Sequence, residues 1–260
     1  MRTRVECGAP MDATEEQLFF ALTDPLNQFL PTIRAATEAL TRNVSTAAAV
    51  FDWDEAARVI SERSATILAP EYEKAAVVAG EVINEVAVDL TLLARVWSAQ
   101  RTAELMTTYL DRDVVRRVVS DGIGRGMSVP RVARLLRGSI GLDERSGRAL
   151  AKYAATAQDE TAVSRYAERL LARRAELIAR TEIQGAVNAG RESTWRRAAS
   201  RGAIGVDAVK TWVTAHDERV CLLCGPMDGE STTLDGVFSF GGSMPPRHPR
   251  CRCTAVIDLP

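Results

Sequence analysis

Apolar positions follow a helical period through most of the first two hundred residues and lose it after Gly202. The strongest periodic signal comes after Pro70. Tyr72, Ala76, Ala79, Ile83, Val86, Leu90, Leu93 and Trp97 recur at alternating steps of four and three, the seam of a heptad. Carried over about 40 residues, that seam predicts one long helix of roughly 60 Å. A helix of this length is expected to pack against another long helix or a neighbouring subunit, which makes a homo-oligomer through it one expectation. Upstream, Asp24 and Pro25 have the form of a cap and first helical residue, and Pro31 restarts or kinks that element. Asp52 and Glu55 have the spacing of a capping box.

Further along, Val114, Val115, Val118 and Val119 make one apolar face, ended by Gly122, Gly124 and Gly126. Ser128 and Pro130 open the next helix, Val132, Leu135 and Leu136 form its core face, and Gly138 closes it. Asp143 and Asp159 are further cap candidates. Residues 160–200 read as helical, with Tyr166, Leu170, Leu177 and Ile178 near one face and a break expected between Arg173 and Ala175. Beyond Gly202, Val209, Trp212 and Val213 predict a strand near 209–214. "MDGE" and "LDGVF" resemble hairpin turns, and "CTAVIDL" predicts a closing strand. The expected fold class is mainly α: an elongated helical N-terminal and middle region followed by a small α+β C-terminal module with short strands and a zinc knuckle.

Charge sharpens this into three segments. Residues 1–111, which include the heptad-patterned helix, carry 9 basic and 17 acidic side chains, a net −8. Residues 112–201 carry 19 basic and 10 acidic, a net +9, and residues 202–260 carry 5 and 7, a net −2. An acidic helical region, a basic helical region and a small Cys/His-containing β-rich module are therefore the expected divisions. The basic middle suits phosphates or an acidic partner; neutralisation by the acidic segment, within the fold or between subunits, is the alternative. No apolar run approaches the length of a membrane span, so no membrane partner is expected. "MRTRVECGAP" is not followed by an apolar stretch, so no secretory signal is expected, and synthesis in a reducing cytosol favours metal over disulfide for paired cysteines.

The cysteines carry the chemistry. Cys221 and Cys224 form C-x2-C, and His248, Cys251 and Cys253 follow as H-x2-C-x-C. A turn at C-x2-C spacing aims both sulfurs at one ion, and two ligand pairs joined by a hairpin build a tetrahedral structural Zn2+ site. Five candidates compete for four places. Cys221, Cys224, His248 and Cys253 are the preferred set, with Cys251 replacing His248 or lying buried beside the site. If residues 251–257 are extended, Cys251 and Cys253 share a face and Arg252 takes the other. Arg219, Arg247, Arg250 and Arg252 can offset the thiolate charge. Disulfides, metal-free thiols and a Cys–His catalytic pair are the competing readings. Cys7 stands apart as a bystander. His216 reads as a surface histidine beside acids, with a general-base role as its alternative. Arg180, Thr181 and Glu182 read either as a buried polar anchor or, through Glu176 and Arg180, as a solvated ion pair. Catalytic residues are not assigned: no phosphate-binding glycine loop, H-E-x-x-H motif or paired carboxylates appear.

"GIGRGMSVPRVARLL", "LIARTEIQGAVNAGRESTWRRAA", "VKTWVTAHDERVCLLCGPMDGE" and "PPRHPRCRCTAVIDL" occur in this order, and residues of about 95–260 resemble the phage minor head protein family, the MuF-like head-morphogenesis proteins. The resemblance places Asp217, Cys221, Cys224, Asp228, Gly229, His248, Cys251, Arg252 and Cys253 at the family's motif positions. It implies a non-enzymatic assembly protein carried inside the phage head after passage through the host cytoplasm. The implied partners are the portal protein, the major capsid or scaffolding protein, and packaged DNA, with roles in head assembly, packaging or ejection. A zinc-containing DNA-processing enzyme of nuclease type, with His216 or Asp217 beside Cys221, and a plain DNA-binding module are the alternatives.

Overall fold

Three helix starts among the described residues are set by carboxylates. Asp12 accepts hydrogen bonds from the Thr14 and Glu15 backbone N–H groups at 2.9 and 2.8 Å, while Glu15 accepts from the Asp12 N–H at 3.1 Å, a reciprocal capping box. Asp143 accepts from Ser146 N–H at 2.8 Å and Asp159 from Thr161 N–H at 2.8 Å, so both cap as expected.

The computed structural model describes residues 12–28, 53–83, 91–109, 141–205 and 207–258. Their elements are α1 (Ala13–Gln28), α2 (Trp53–Val82), α3 (Thr91–Tyr109), α4 (Glu144–Thr156), α5 (Glu160–Ser200), β1 (Val209–Val213), β2 (Ser231–Thr233) and β3 (Thr254–Asp258). The chain is mainly helical with a small antiparallel sheet of order β2-β1-β3, in agreement with the expected class. The expectations for Cys7, Pro31, Asp52, Val86, Leu90 and the 114–138 glycine-rich stretch fall outside the described residues.

Three expectations about helices need correction. Helix α1 begins at Ala13 and runs through Asp24 and Pro25, because the Asp12–Glu15 box supplies the start. Helix α2 does not begin after Pro70 but passes through it. A proline in a helix removes one hydrogen bond, at a cost of about 3 kcal/mol. Pro70 is exposed, however, and Ala56, Ile60, Ser64, Leu68, Tyr72, Ala76, Ala79 and Ile83 form one buried stripe that keeps its phase across it. The heptad seam therefore starts earlier than expected, and it does not persist in α3. There the buried residues among those described are Ala94, Ser98 and Thr102, whereas Leu93 is exposed. Helix α5 has no break at Arg173–Ala175: Ala175 is fully buried and Arg174 is held by Asp143 at 3.2 Å.

The chain divides into two compact units, one of Met1–Gln17, Ala65–Ser98 and Leu177–Pro260, the other of Leu18–Ser64 and Ala99–Glu176. The second contains the apolar cluster of Leu142, Leu150, Ala154, Val163 and Ala167 between α4 and the first part of α5. The first contains the sheet. Trp212 is completely buried and meets Phe238 and Phe240 edge-on, with ring centroids 5.3 and 5.4 Å away. Ala79 and Ile83 of α2 and Trp195 and Ala198 of α5 belong to the same core. The two helices approach so closely that a Cβ added to Gly190 would stand 2.2 Å from the Tyr72 carbonyl oxygen. Around that contact the Tyr72 hydroxyl bonds Ser193, and the Thr194 hydroxyl donates to the Ala76 carbonyl at 3.1 Å.

The strand expected near 209–214 forms as β1, but its inward positions are Lys210 and Trp212, so a lysine shares the buried face with the tryptophan. The Lys210 side chain is 0 % exposed. It donates to Glu192 at 3.2 Å and to the Leu234 carbonyl at 2.8 Å. Burial pulls its pKa down against the opposing pull of Glu192.

Candidate metal centre

The centre is assembled from two short segments. In the first, the backbone N–H groups of Cys224 and Gly225 donate to the Cys221 carbonyl at 3.1 and 2.9 Å, which folds C-x2-C into a tight turn. In the second, Cys251 N–H donates to the His248 carbonyl at 3.0 Å, and Arg250 takes the left-handed φ of 62° that this reversal needs.

Helix α5 fixes the second segment through a polar stripe. Thr181 accepts from the Arg250 backbone N–H at 3.0 Å. Gln184 and Asn188 donate to the Cys253 carbonyl at 2.8 and 3.3 Å. The Thr254 hydroxyl donates to Asn188 at 2.8 Å, and Arg191 bonds the same hydroxyl. Thr181, Gln184, Asn188 and Arg191 lie at steps of three, four and three, one face of a helix. Of the two readings of "ARTEI", the anchor describes Thr181. Arg180 lies 3.7 Å from Glu15. The Gln184–Arg191 part was missed by sequence reasoning, although polar residues recurring at helical spacing are the signal that would find it.

These segments bring all five predicted donors into two overlapping groups, Cys221–Cys224–His248 and Cys224–Cys251–Cys253, each with its ligand atoms within 4.8 Å of one another. Cys224 belongs to both. His248 Nε2 lies 3.1 Å from Cys221 Sγ and 3.2 Å from Cys224 Sγ, and the Cys224 and Cys251 sulfurs are 3.9 Å apart. A tetrahedral Zn2+ with ordinary bond lengths separates its sulfurs by about 3.8 Å and sulfur from nitrogen by about 3.5 Å, so these donors fit to within a few tenths of an ångström. His248 Nδ1 faces the Pro249 carbonyl at 2.8 Å. That contact takes the Nδ1 proton and leaves the Nε2 lone pair directed at the sulfurs, the tautomer a metal needs.

Electrostatics point the same way. Cys253 hydrogen-bonds Cys251 and holds that thiol down at about 5, while its own pKa is driven up by the same bond. Burial and the neighbouring Cys251 charge push Cys224 up to about 12. Burial also opposes ionisation of Cys221, but the backbone N–H groups of Cys224 and Leu223 outweigh it and lower its pKa. Burial acts to lower the His248 pKa, yet the Pro249 carbonyl and the nearby Cys251 and Cys221 charges raise it on balance. Crowded thiols thus share protons that a divalent cation would replace. The cluster can bind a metal ion. Cys224, Cys251 and Cys253 are buried and Cys221 is half-buried. Residues 251–253 precede β3 but alternate as expected: Arg252 is exposed between two buried cysteines.

The remaining motif positions look elsewhere. Asp217 forms a two-pronged pair with Arg252 at 2.6 Å on each arm, which holds its carboxyl at about 2. His216 is exposed and faces both oxygens of Asp228 at 2.9 and 3.0 Å; Asp228 also accepts from the Thr214 N–H and hydroxyl. Arg247 donates to the Leu223 carbonyl at 2.6 Å, tying the two cysteine segments together.

Residues 113–256 match the family described as Phage Mu protein F like protein, more than half of the chain. The chain belongs to the phage Mu protein F-like family. No curated protein and no solved structure matches it. The match takes in α4, α5, β1, β2, the first part of β3 and every donor of this Mu F-like chain's cluster. Membership supports a phage head morphogenesis protein that is structural in kind, resides in the virion and associates with other head components. No helix among the described residues is long and apolar enough to cross a membrane.

Proposed function

We propose that this chain is a non-enzymatic minor head protein that associates with the portal inside the phage head and assists assembly, DNA packaging or ejection, with major capsid or scaffolding protein as further neighbours. The family match across α5 and the whole donor cluster carries this reading. The C-terminal module acts as a rigid docking piece stabilised by Zn2+. Cys221, Cys224 and His248 are three of the ligands. Cys251 is the fourth in this reading, because its sulfur lies 3.9 Å from that of Cys224 and its charge also acts on His248, whereas Cys253 acts on Cys224 and Cys251 by hydrogen bonding. Cys253 then supports Cys251 by hydrogen bonding. Bound there, the ion would supply a cross-link between the 221–224 turn and the 248–253 segment.

Neither His216, which faces Asp228, nor Asp217, held by Arg252, belongs to the donor cluster, which supports a structural rather than a hydrolytic centre. The test is co-purification: portal complexes and procapsids assembled with the tagged chain should retain it through high-salt washing. Purified heads that lack it would overturn the proposal.

A further inference from the structure

We propose that the end of α2 and the start of α3 form a docking face for a second copy of this chain. Twelve large apolar side chains are exposed among the described residues, and six of them, Val77, Val78, Val82, Leu92, Leu93 and Val96, fall within these two stretches. Val82 is 63 % and Leu92 67 % exposed. The Tyr72 and Trp97 rings lie 5.6 Å apart, which sets the two helices side by side. From that contact α2 runs on to Val82 and α3 runs back to Thr91, so the six residues gather at one end of the helical pair. Single exposed apolar residues are ordinary; a cluster marks an interaction site.

Charge identifies the occupant. Among the described residues, the exposed ionised side chains at these apolar positions are one acid, Glu81, and one base, Arg95. Neither side chain has an ion-pair or hydrogen-bond partner among the described residues, whereas Lys74 at the border is matched by Glu71 at 2.6 Å. A membrane surface or an acidic partner would select an excess of cations. An acid and a base on the described part of this face make it self-complementary. Across a twofold axis, Glu81 of each copy meets Arg95 of the other, and the apolar residues close between the two pairs.

Sedimentation velocity of the purified full chain tests this. The chain should dimerise, and Val82→Glu or Leu92→Glu should leave monomer with unchanged far-UV circular dichroism. Glu81→Arg and Arg95→Glu should each weaken the dimer by about tenfold, and the Glu81→Arg/Arg95→Glu double variant should recover most of that loss. A chain that stays monomeric up to ~100 µM, a dimer indifferent to these substitutions, or single losses that the double variant does not repair would each overturn it. So would a monomer that uses this face only to bind another head protein.

Discussion

Helix α5 is a single uninterrupted element, yet its two parts are held by different physics. Residues 160–176 bury small apolar side chains, Val163 and Ala167, against Leu142, Leu150 and Ala154, and hold Arg165 in an exposed pair with Asp159 and Arg174 in a pair with Asp143. Residues 177–200 bury Glu182, Asn188 and Thr194, and Thr181, Gln184 and Arg191 reach from the same stretch to the chain's last segment. The first part is stabilised by area, which is tolerant and additive. The second is stabilised by direction: each donor needs one acceptor, and an unpaired buried group costs about 1–3 kcal/mol. A module of about sixty residues with three short strands has little apolar area to bury, and the buried ion pair and polar stripe take over part of that task.

The largest effect should come from the centre itself. Cys224→Ser removes the sulfur shared by both donor groups. It should abolish stoichiometric zinc and melt residues 207–258, since structural zinc supplies about 10–16 kcal/mol of binding free energy in small zinc domains. Hydrogen exchange should rise across that module while residues 144–176 keep their protection. Cys253→Ser should retain the metal with reduced affinity. Zinc content by elemental analysis decides between them, and a metal-free module with undiminished protection would erase the contrast between the two parts of α5.

Next comes the buried lysine. Glu192→Ala leaves Lys210 charged without its partner and should cost about 3–5 kcal/mol. Lys210→Met removes the charge itself, leaves Glu192 to Arg196 at 3.0 Å, and should cost only about 1–2 kcal/mol for the lost bond to the Leu234 carbonyl. Urea denaturation of the two variants measures the asymmetry; equal losses would mean that the pair acts merely as packing.

The smallest effect belongs to the tolerant part. Asp143→Ala should cost about 1 kcal/mol at neutral pH through the lost cap of α4. Burial opposes ionisation of Asp143, but the Ser146 backbone N–H and Arg174 outweigh it, so its folded pKa lies below the usual 3.8. The favourable contribution is therefore present above 3.8 and disappears as pH falls through the lower folded value. Thermal unfolding of wild type and variant should converge in acid; a gap that widens there would contradict the cap's ionic character.

Local rules were legible in the sequence wherever one residue does one job. The caps at Asp143 and Asp159, the strand at 209–213 and the meeting of the five donors follow from residue type and spacing. Helix limits failed where tertiary burial overrides a local breaker: Pro70 and Pro25 look like starts, but α2 keeps a continuous buried stripe and α1 already has its cap at Asp12. Lys210 was illegible because strand alternation assigns positions to a face without saying that a lysine on that face will find Glu192, eighteen residues earlier on another element. The polar stripe from Thr181 to Arg191 was half visible, because helix period shows that its members align but not which backbone they meet.

The contact of Gly190 with the Tyr72 carbonyl has a mechanical corollary. Main chain rests on main chain there, with no compliant side chain between. Sliding α5 along α2 by one position would drive the Cβ of Ala189 or Arg191 into that carbonyl. The notch thus works as a pawl, stopping axial slippage under load while leaving the helices' outer surfaces free to vary.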